Sequence, residues 1–271
     1  IEYAGPAANA PSVPGARRID LSGKYLLPGL INAHAHLFSD GKPLPQALTS
    51  DRGGALAAKF LRMPPGRALM RKRTKTNLLT QLHSGVTGLR SLGDPGYEVV
   101  QAAEAIEAGE YVGPRILASG PLLAATGGHG EPQIAVVNDS PWEGRRNVRR
   151  NLRNGATAIK VAATGGVTDA RALGEAGRPQ LTEEEMAAIC EEAHGAGVLV
   201  AAHAQGKEGV TQALRAGVDT IEHGCPLDEE MVERFQNNPR SLHGYSALIP
   251  TLIPALLLAT CLLYTSPSPR D

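Results

Sequence analysis

The strongest constraint on the fold is an alternation, repeated along most of the chain, of short apolar runs with longer helical stretches. Apolar runs occupy residues 26–31, 86–92, 116–118, 158–162, 198–202 and 219–222, with a seventh candidate at 246–252. Between them, apolar residues at helical spacing predict helices over 67–83, 97–108, 145–154, 182–196, 209–216 and 228–236. Gly85, Gly109, Gly155 and Gly197 stand where helices should stop, and Thr182 with Glu185 has the spacing of a capping box. Strand followed by helix, repeated, implies parallel strands joined by crossover helices. The strand runs are apolar on both faces, as a sheet covered on both sides requires. A closed eight-stranded barrel and an open doubly wound sheet both satisfy this pattern, so the polar residues must decide between them.

The 271 residues suffice for one α/β barrel, which takes ~250. Aromatics at 4%, against 31 Gly and 20 Pro, suit many short connections between buried aliphatic strands. The 27 Lys+Arg balance the 27 Asp+Glu, which argues against nucleic acid or an anionic membrane as a partner. The basic clusters Arg71-Lys72-Arg73 and Arg145-Arg146, with Arg149-Arg150 just after, read as solvated helix faces. No run of ~20 apolar residues is available to span a bilayer. Cys190, Cys225 and Cys261 show no C-x-x-C spacing and fit a reducing, cytoplasmic compartment. No signal-peptide pattern opens the chain, which starts at Ile1 without an initiator Met. Three segments are expected. Residues 1–24, rich in Pro, Gly and Ala, read as the remnant of a small β-rich module. Residues 25–260 form the barrel. Residues 261–271, CLLYTSPSPRD, have neither helical nor strand periodicity and read as a non-native tail.

The polar residues cluster at strand ends. His34 and His36, in PGLINAHAHL, are two apart at the end of an apolar run. Side chains at i and i+2 of a strand share a face, so two imidazoles emerging together can bind one metal ion. Lys160, in TAIKVAATGG, lies inside an apolar strand, where a charged amine is costly to bury. A lysine with a lowered pKa can react with carbon dioxide, and the carbamate formed is a carboxylate-like anion able to bridge two divalent metals. His203, in VLVAAHAQG, and His223, in DTIEHG, each follow a short apolar run. Each therefore falls where a TIM barrel places its active site, at the C-terminal rim of the strands. His129 lies among glycines in TGGHGE after the third strand. His83 and His194 are expected to be exposed near helix ends, and His243 lies in a polar loop.

Taken in order, PGLINAHAHL, AIKVAATGG, VAAHAQG and TIEHG resemble the amidohydrolase superfamily. GPRILASG at 113–120 and TGGHGE at 126–131 point to its prolidase-type and imidazolonepropionase-related branch. The resemblance implies a TIM barrel that hydrolyses a C–N bond, amide or peptide-like, in a dipeptide or N-acyl amino acid by means of a metal-bound hydroxide. It implies that His34, His36 and Lys160 hold one of two divalent ions, and that Lys160, His203 and His223 hold the other. Zinc suits such a set of imidazoles and one carboxylate-like bridge. His129 is implied to act on substrate. Relatives often carry a substrate-contacting tyrosine two residues after the fifth-strand histidine, where this chain has Gln205. They also carry an Asp at the end of strand eight, as metal ligand and general base, and no residue here fits that role. Asp228 follows the sixth strand too closely, and Glu222 is expected to point away from His223. The chain is therefore expected to be an incomplete barrel of six to seven strands, inactive as it stands.

Three other functions compete. A mononuclear imidazolonepropionase- or deaminase-type hydrolase of a cyclic amide or amidine needs no strand-four lysine. A catalytically dead binding protein would be expected to lose ligands that this chain keeps. A phosphotriester hydrolase could use the same scaffold, because leaving-group preference lies in loops. A small-molecule substrate is the expected partner, and a homo-oligomer stays open.

Overall fold

The computed structural model describes residues 3–39, 51–168, 170 and 172–238. Along them run β1 (Leu30–Ala35), α1 (Asp51–Arg62), α2 (Pro64–His83), β2 (Val86–Ser91), α3 (Glu98–Glu107) and β3 (Arg115–Ala118). Then come β4 (Leu122–Ala124), β5 (Ala135–Val137), α4 (Pro141–Arg153), β6 (Ile159–Ala162) and α5 (Glu183–Gly195). The last described elements are β7 (Val200–Ala204), α6 (Lys207–Arg215), β8 (Thr220–His223) and α7 (Glu229–Asn237). The seventh strand candidate at 246–252, His243 and the tail lie outside the described residues. So do residues 40–50, between β1 and α1. Residues 3–29 carry one short 3-10 turn, Ala7–Asn9, and no strand.

Every strand ladder is parallel, in the orders β1-β2-β3 and β5-β4-β6-β7-β8. The two sheets meet at the third strand position. There β3 pairs with β2, and β4, three residues further on, pairs with β6. Thr157 and Ala158, just before β6, both donate their N–H to the Ala118 carbonyl of β3. The result is one curving succession of parallel strands. Among the described residues its two outer edges, β1 and β8, are not joined by a backbone ladder.

The first strand begins later than expected. It was predicted over 26–31 and is found at Leu30–Ala35. Pro28 has no N–H to give a ladder, and the strand pairing starts where the Leu30 N–H reaches the Gly85 carbonyl. Tyr25, Leu26 and Leu27 stay exposed. The α5 capping box is present: Glu185 N–H donates to Thr182 Oγ1, and Thr182 N–H donates to the Glu185 carboxylate.

Two apolar cores sit under this arc. One packs β1, β2 and β3 on α2 and α3 through Leu78, Leu89, Val99 and Ile116. The other packs β4, β6, β7 and β8 on α4, α5 and α6 through Val161, Ala202, Ile221, Ile189 and Val210. Register settles which side chains face the helices and which face inward. Lys160 aligns with Ala201, and Ala162 aligns with His203, which aligns with Glu222. Aligned residues in a ladder share a face. Val161, Ala202 and Ile221 take the helix side, so Lys160, His203 and Glu222 take the inner side.

Candidate functional site

The four predicted histidine ligands stand at or near the C-terminal ends of their strands, and Lys160 stands inside its own. His34 is the fifth residue of β1 and His36 follows its end; Lys160 is the second residue of β6, His203 the fourth of β7, and His223 the last of β8. Their rings lie together. His34 Nε2 is 3.1 Å from His36 Nε2. The His34 and His223 ring centres are 5.1 Å apart, and those of His203 and His223 are 4.7 Å apart. Lys160, 2% exposed, is on the inner face and acts electrostatically on all four rings.

Hydrogen bonds prescribe which nitrogen of several rings carries a lone pair. His34 Nδ1–H donates to Glu222 Oε2 at 2.7 Å, and His36 Nδ1–H donates to the Gly93 carbonyl at 3.2 Å. Both acceptors lack a proton to give, so both Nε2 atoms are left as electron-pair donors. Gly93 can turn its carbonyl this way because its φ of 104° lies in the left-handed region open to glycine. His203 Nε2–H donates to the Gly165 carbonyl at 3.0 Å, leaving Nδ1 as its donor atom.

Electrostatics favours the same uncharged state. Burial, then the charge of Lys160, lowers His34. Burial, then His34 and Lys160, holds His36 well below its ordinary value. Burial, then His129 and His223, does the same to His203, and burial with His34 and Lys160 takes His223 down to about 3. Four neutral imidazoles therefore stand ready at ordinary pH, as a metal centre requires.

Two expectations need correction. Glu222 points inward rather than away from the centre. Strand alternation does separate Glu222 from His223, but the inner position belongs to Glu222, aligned with His203. His223 ends the strand with a φ of 72°, which swings its ring back toward His34. His194 is not an exposed helix-end histidine: its ring is about nine-tenths buried and its Nε2 lies 2.8 Å from Asp219 Oδ2.

Glu222 and Arg90 were missed as parts of the site. Glu222 is buried, and Arg90 Nη2 donates to its Oε1 at 2.6 Å. Burial pushes the Glu222 carboxyl up, but Arg90, the bond from His34 and the charge of Lys160 outweigh it and hold it well below the usual carboxylate range. Arg90 interrupts an apolar strand just as Lys160 does, and the buried-charge argument would have found it.

His129 and Gln205 stand at the rim. The His129 ring stacks on His203 with centres 4.0 Å apart, and its backbone N–H donates to Gln180 Oε1. Gln205 is half-buried, its N–H donating to Thr164 Oγ1 at 3.2 Å.

A divalent metal fits this donor set. Two imidazole nitrogens 3.1 Å apart have the spacing of neighbours on one ion at metal–nitrogen lengths of ~2.0–2.1 Å. Among the described residues no three His, Cys, Asp or Glu side chains already surround one point. The ring centres of His34 and His36, His34 and His223, and His203 and His223 are 5.0, 5.1 and 4.7 Å apart, so the four imidazoles form one continuous group, and Lys160 acts electrostatically on all of them.

One family profile and several known proteins are similar to this chain. The profile of the Amidohydrolase family matches residues 25–236. A putative prolidase from Bifidobacterium longum is similar in structure, with 48% identity and a TM-score of 0.60 over 81% of this chain and 45% of that one. A prolidase complexed with N-methylphosphonate-L-proline matches at 32% identity and a TM-score of 0.69, over 84% of this chain and 55% of its own. Ochratoxinase from Aspergillus niger is 36% identical over 179 residues, 56% of this chain and 36% of that protein. The chain thus spans about half, or less, of the length of these relatives. With nearly all of its described strands and helices inside the family profile, the chain belongs to the amidohydrolase family.

Proposed function

We propose that this chain is part of a metal-dependent (β/α)-barrel hydrolase that cleaves the amide or peptide-like C–N bond of a dipeptide or N-acyl amino acid. The observation that carries the proposal is the convergence of His34, His36, Lys160, His203 and His223 in one buried cluster at the strand ends. His34 and His36 would hold one divalent ion and His203 and His223 a second, with carboxylated Lys160 between them. Zinc suits the imidazole-rich set. Bound there, the ions would supply Lewis acidity to the scissile carbonyl and to an attacking water.

The chain's own residues prepare that chemistry. The neutral imidazoles present lone pairs, and Glu222 and Gly93 orient two of the rings. Buried aliphatic strands exclude bulk water from the inner face. His129, stacked on His203 at the open rim, is placed to donate to or accept from a substrate group, with Gln205 nearby on β7's exit. A dipeptide substrate is supported by the two prolidase relatives, one of them holding a proline-bearing phosphonate.

The test compares the chain alone with the chain extended by strands seven and eight of a relative, on Xaa-Pro dipeptides and N-acyl amino acids. The extended protein should hydrolyse at least one class and lose activity to a chelator, and the chain alone should be far slower. In the extended protein, His129→Ala should lower kcat/KM ~10²-fold or more, as loss of a positioned proton-transfer or binding group does, with metal content unchanged. Chelator-insensitive hydrolysis would reject the metal mechanism, and loss of metal in His129→Ala would move that residue among the ligands.

A further inference from the structure

Glu222 ties together the parts of the site that come from opposite edges of the arc. Its Oε2 accepts from His34 Nδ1 at 2.7 Å, while its Oε1 accepts from Arg90 Nη2 at 2.6 Å and from Thr220 Oγ1 at 2.9 Å. Arg90 in turn donates through Nε to the Ala33 carbonyl of β1 at 2.8 Å, and through Nη1 to Thr220 Oγ1 at 3.2 Å. One carboxylate and one guanidinium thus lash β8 to β1 and β2, where no backbone ladder does so among the described residues. Glu222 is 4% exposed, and a buried charge that cost so much to desolvate is expected to have a specific task.

We infer that Glu222, clamped by Arg90, is a positioning residue that locks His34 in the tautomer with Nδ1 protonated and Nε2 unprotonated, facing His36 Nε2. A carboxylate can only accept, so it selects the Nδ1–H form; a carboxylate behind a metal-binding imidazole also fixes ring orientation and raises ligand basicity. The charge-assisted bond from Arg90 Nη2 to Oε1, with Thr220 Oγ1 donating to the same oxygen, keeps the carboxylate from rotating away. His34 sits on an edge strand after an exposed Ala33, and its ring lies against the rings of His36 and His223, neither of which dictates which of its nitrogens carries the proton. The inference rests on the reading of His34 as a metal ligand, but the tautomer itself is a property of the metal-free chain.

The test is made on the chain as it exists. Long-range ¹H–¹⁵N correlation spectra of the metal-free protein report which His34 nitrogen is protonated. The expected result is Nδ1–H alone in the parent and in Glu222→Asp, against a mixed or reversed tautomer in Glu222→Gln, whose amide can donate to Nδ1. Titration with Zn²⁺ alone should show affinity falling ~10–100-fold in Glu222→Gln, the usual effect of removing a partner behind a ligand, with substantial recovery in Glu222→Asp. An unchanged Nδ1–H tautomer in Glu222→Gln would overturn the inference and leave the Arg90–Glu222 pair a strut. A parent that shows the Nδ1–H tautomer yet binds no Zn²⁺ would uphold the positioning and instead reject the proposed metal centre.

Discussion

In β6 and β7, which carry Lys160 and His203, every residue is buried, whereas β1, which carries His34, is exposed at Leu30, Ile31 and Ala33. The second half of the arc sits on a continuous core of Val161, Ala202, Ile221 and Ile189, all 2% exposed or less. The first half has its own core on α2 and α3, but its strand bearing His34 lies at the edge of the sheet. Packing on both faces, with a bond to the Gly165 carbonyl, holds His203, whereas hydrogen bonds to Glu222 and Gly93 hold His34 and His36 on the first strand and just after it. The two halves should therefore fail differently.

The largest difference should come from truncating the deeper core. Ile189→Ala removes a fully buried side chain from the β6–β8 half, and should cost ~2–5 kcal/mol in urea denaturation. Gly209→Ala sharpens the same point. Its Cβ would fall 2.2 Å from Thr164 Cγ2, forcing α6 off the end of β6, at an expected cost of ~1–3 kcal/mol.

Acid should act on both halves. An unfolded histidine takes its proton near 6.5, while His223 takes it near 3 and His36 and His203 well below 6.5. The unfolded chain therefore binds more protons between those values. This stabilisation is full above about 6.5 and is lost as pH falls toward the folded-state values. Glu222, also lowered, adds a loss as pH drops below 4.5. Asp94 at the end of the first half's β2 behaves oppositely. Burial, against the bonds from Ser91 and aided by Glu98, raises it from 3.8 to about 8. Its contribution is full below 3.8 and is lost as pH rises toward 8, so Asp94→Asn should gain stability relative to the parent across that window and level off above it. Thermal unfolding of both proteins from pH 4 to 9 measures the sign; a constant gap between them would contradict it.

The smallest effect belongs to the rim. Ile31, 81% exposed, should tolerate Ile31→Thr within ~0.5 kcal/mol. A cost matching that of Ile189→Ala would erase the contrast between the halves.

The clustering of these polar residues was legible because each interrupts or ends an apolar run, a pattern that survives errors of a few residues in strand limits. The strand at residues 26–31 was misplaced because hydropathy sees Leu26 and Leu27 but not the missing N–H of Pro28. β4 and β5, three residues each in a Gly-rich stretch, are too short to show periodicity. α1 was hidden by Gly53 and Gly54, poor helix formers. The inward face of Glu222 was missed because period-two alternation was counted from His223, and the left-handed backbone there breaks the count. A buried Glu beside a buried Arg is a tertiary fact, since Arg90 and Glu222 lie 132 residues apart in sequence.

The central claim is that Lys160 joins two pairs of imidazoles into one binuclear centre. The most direct measurement is the metal content of the purified chain reconstituted with Zn²⁺ in ¹³C-bicarbonate, beside Lys160→Ala. The account predicts two ions per parent chain with a ¹³C carbamate signal that is absent from Lys160→Ala, which should retain at most one weakly held ion. Two tightly bound ions in Lys160→Ala, or a parent that fills with metal and shows no carbamate, would contradict it.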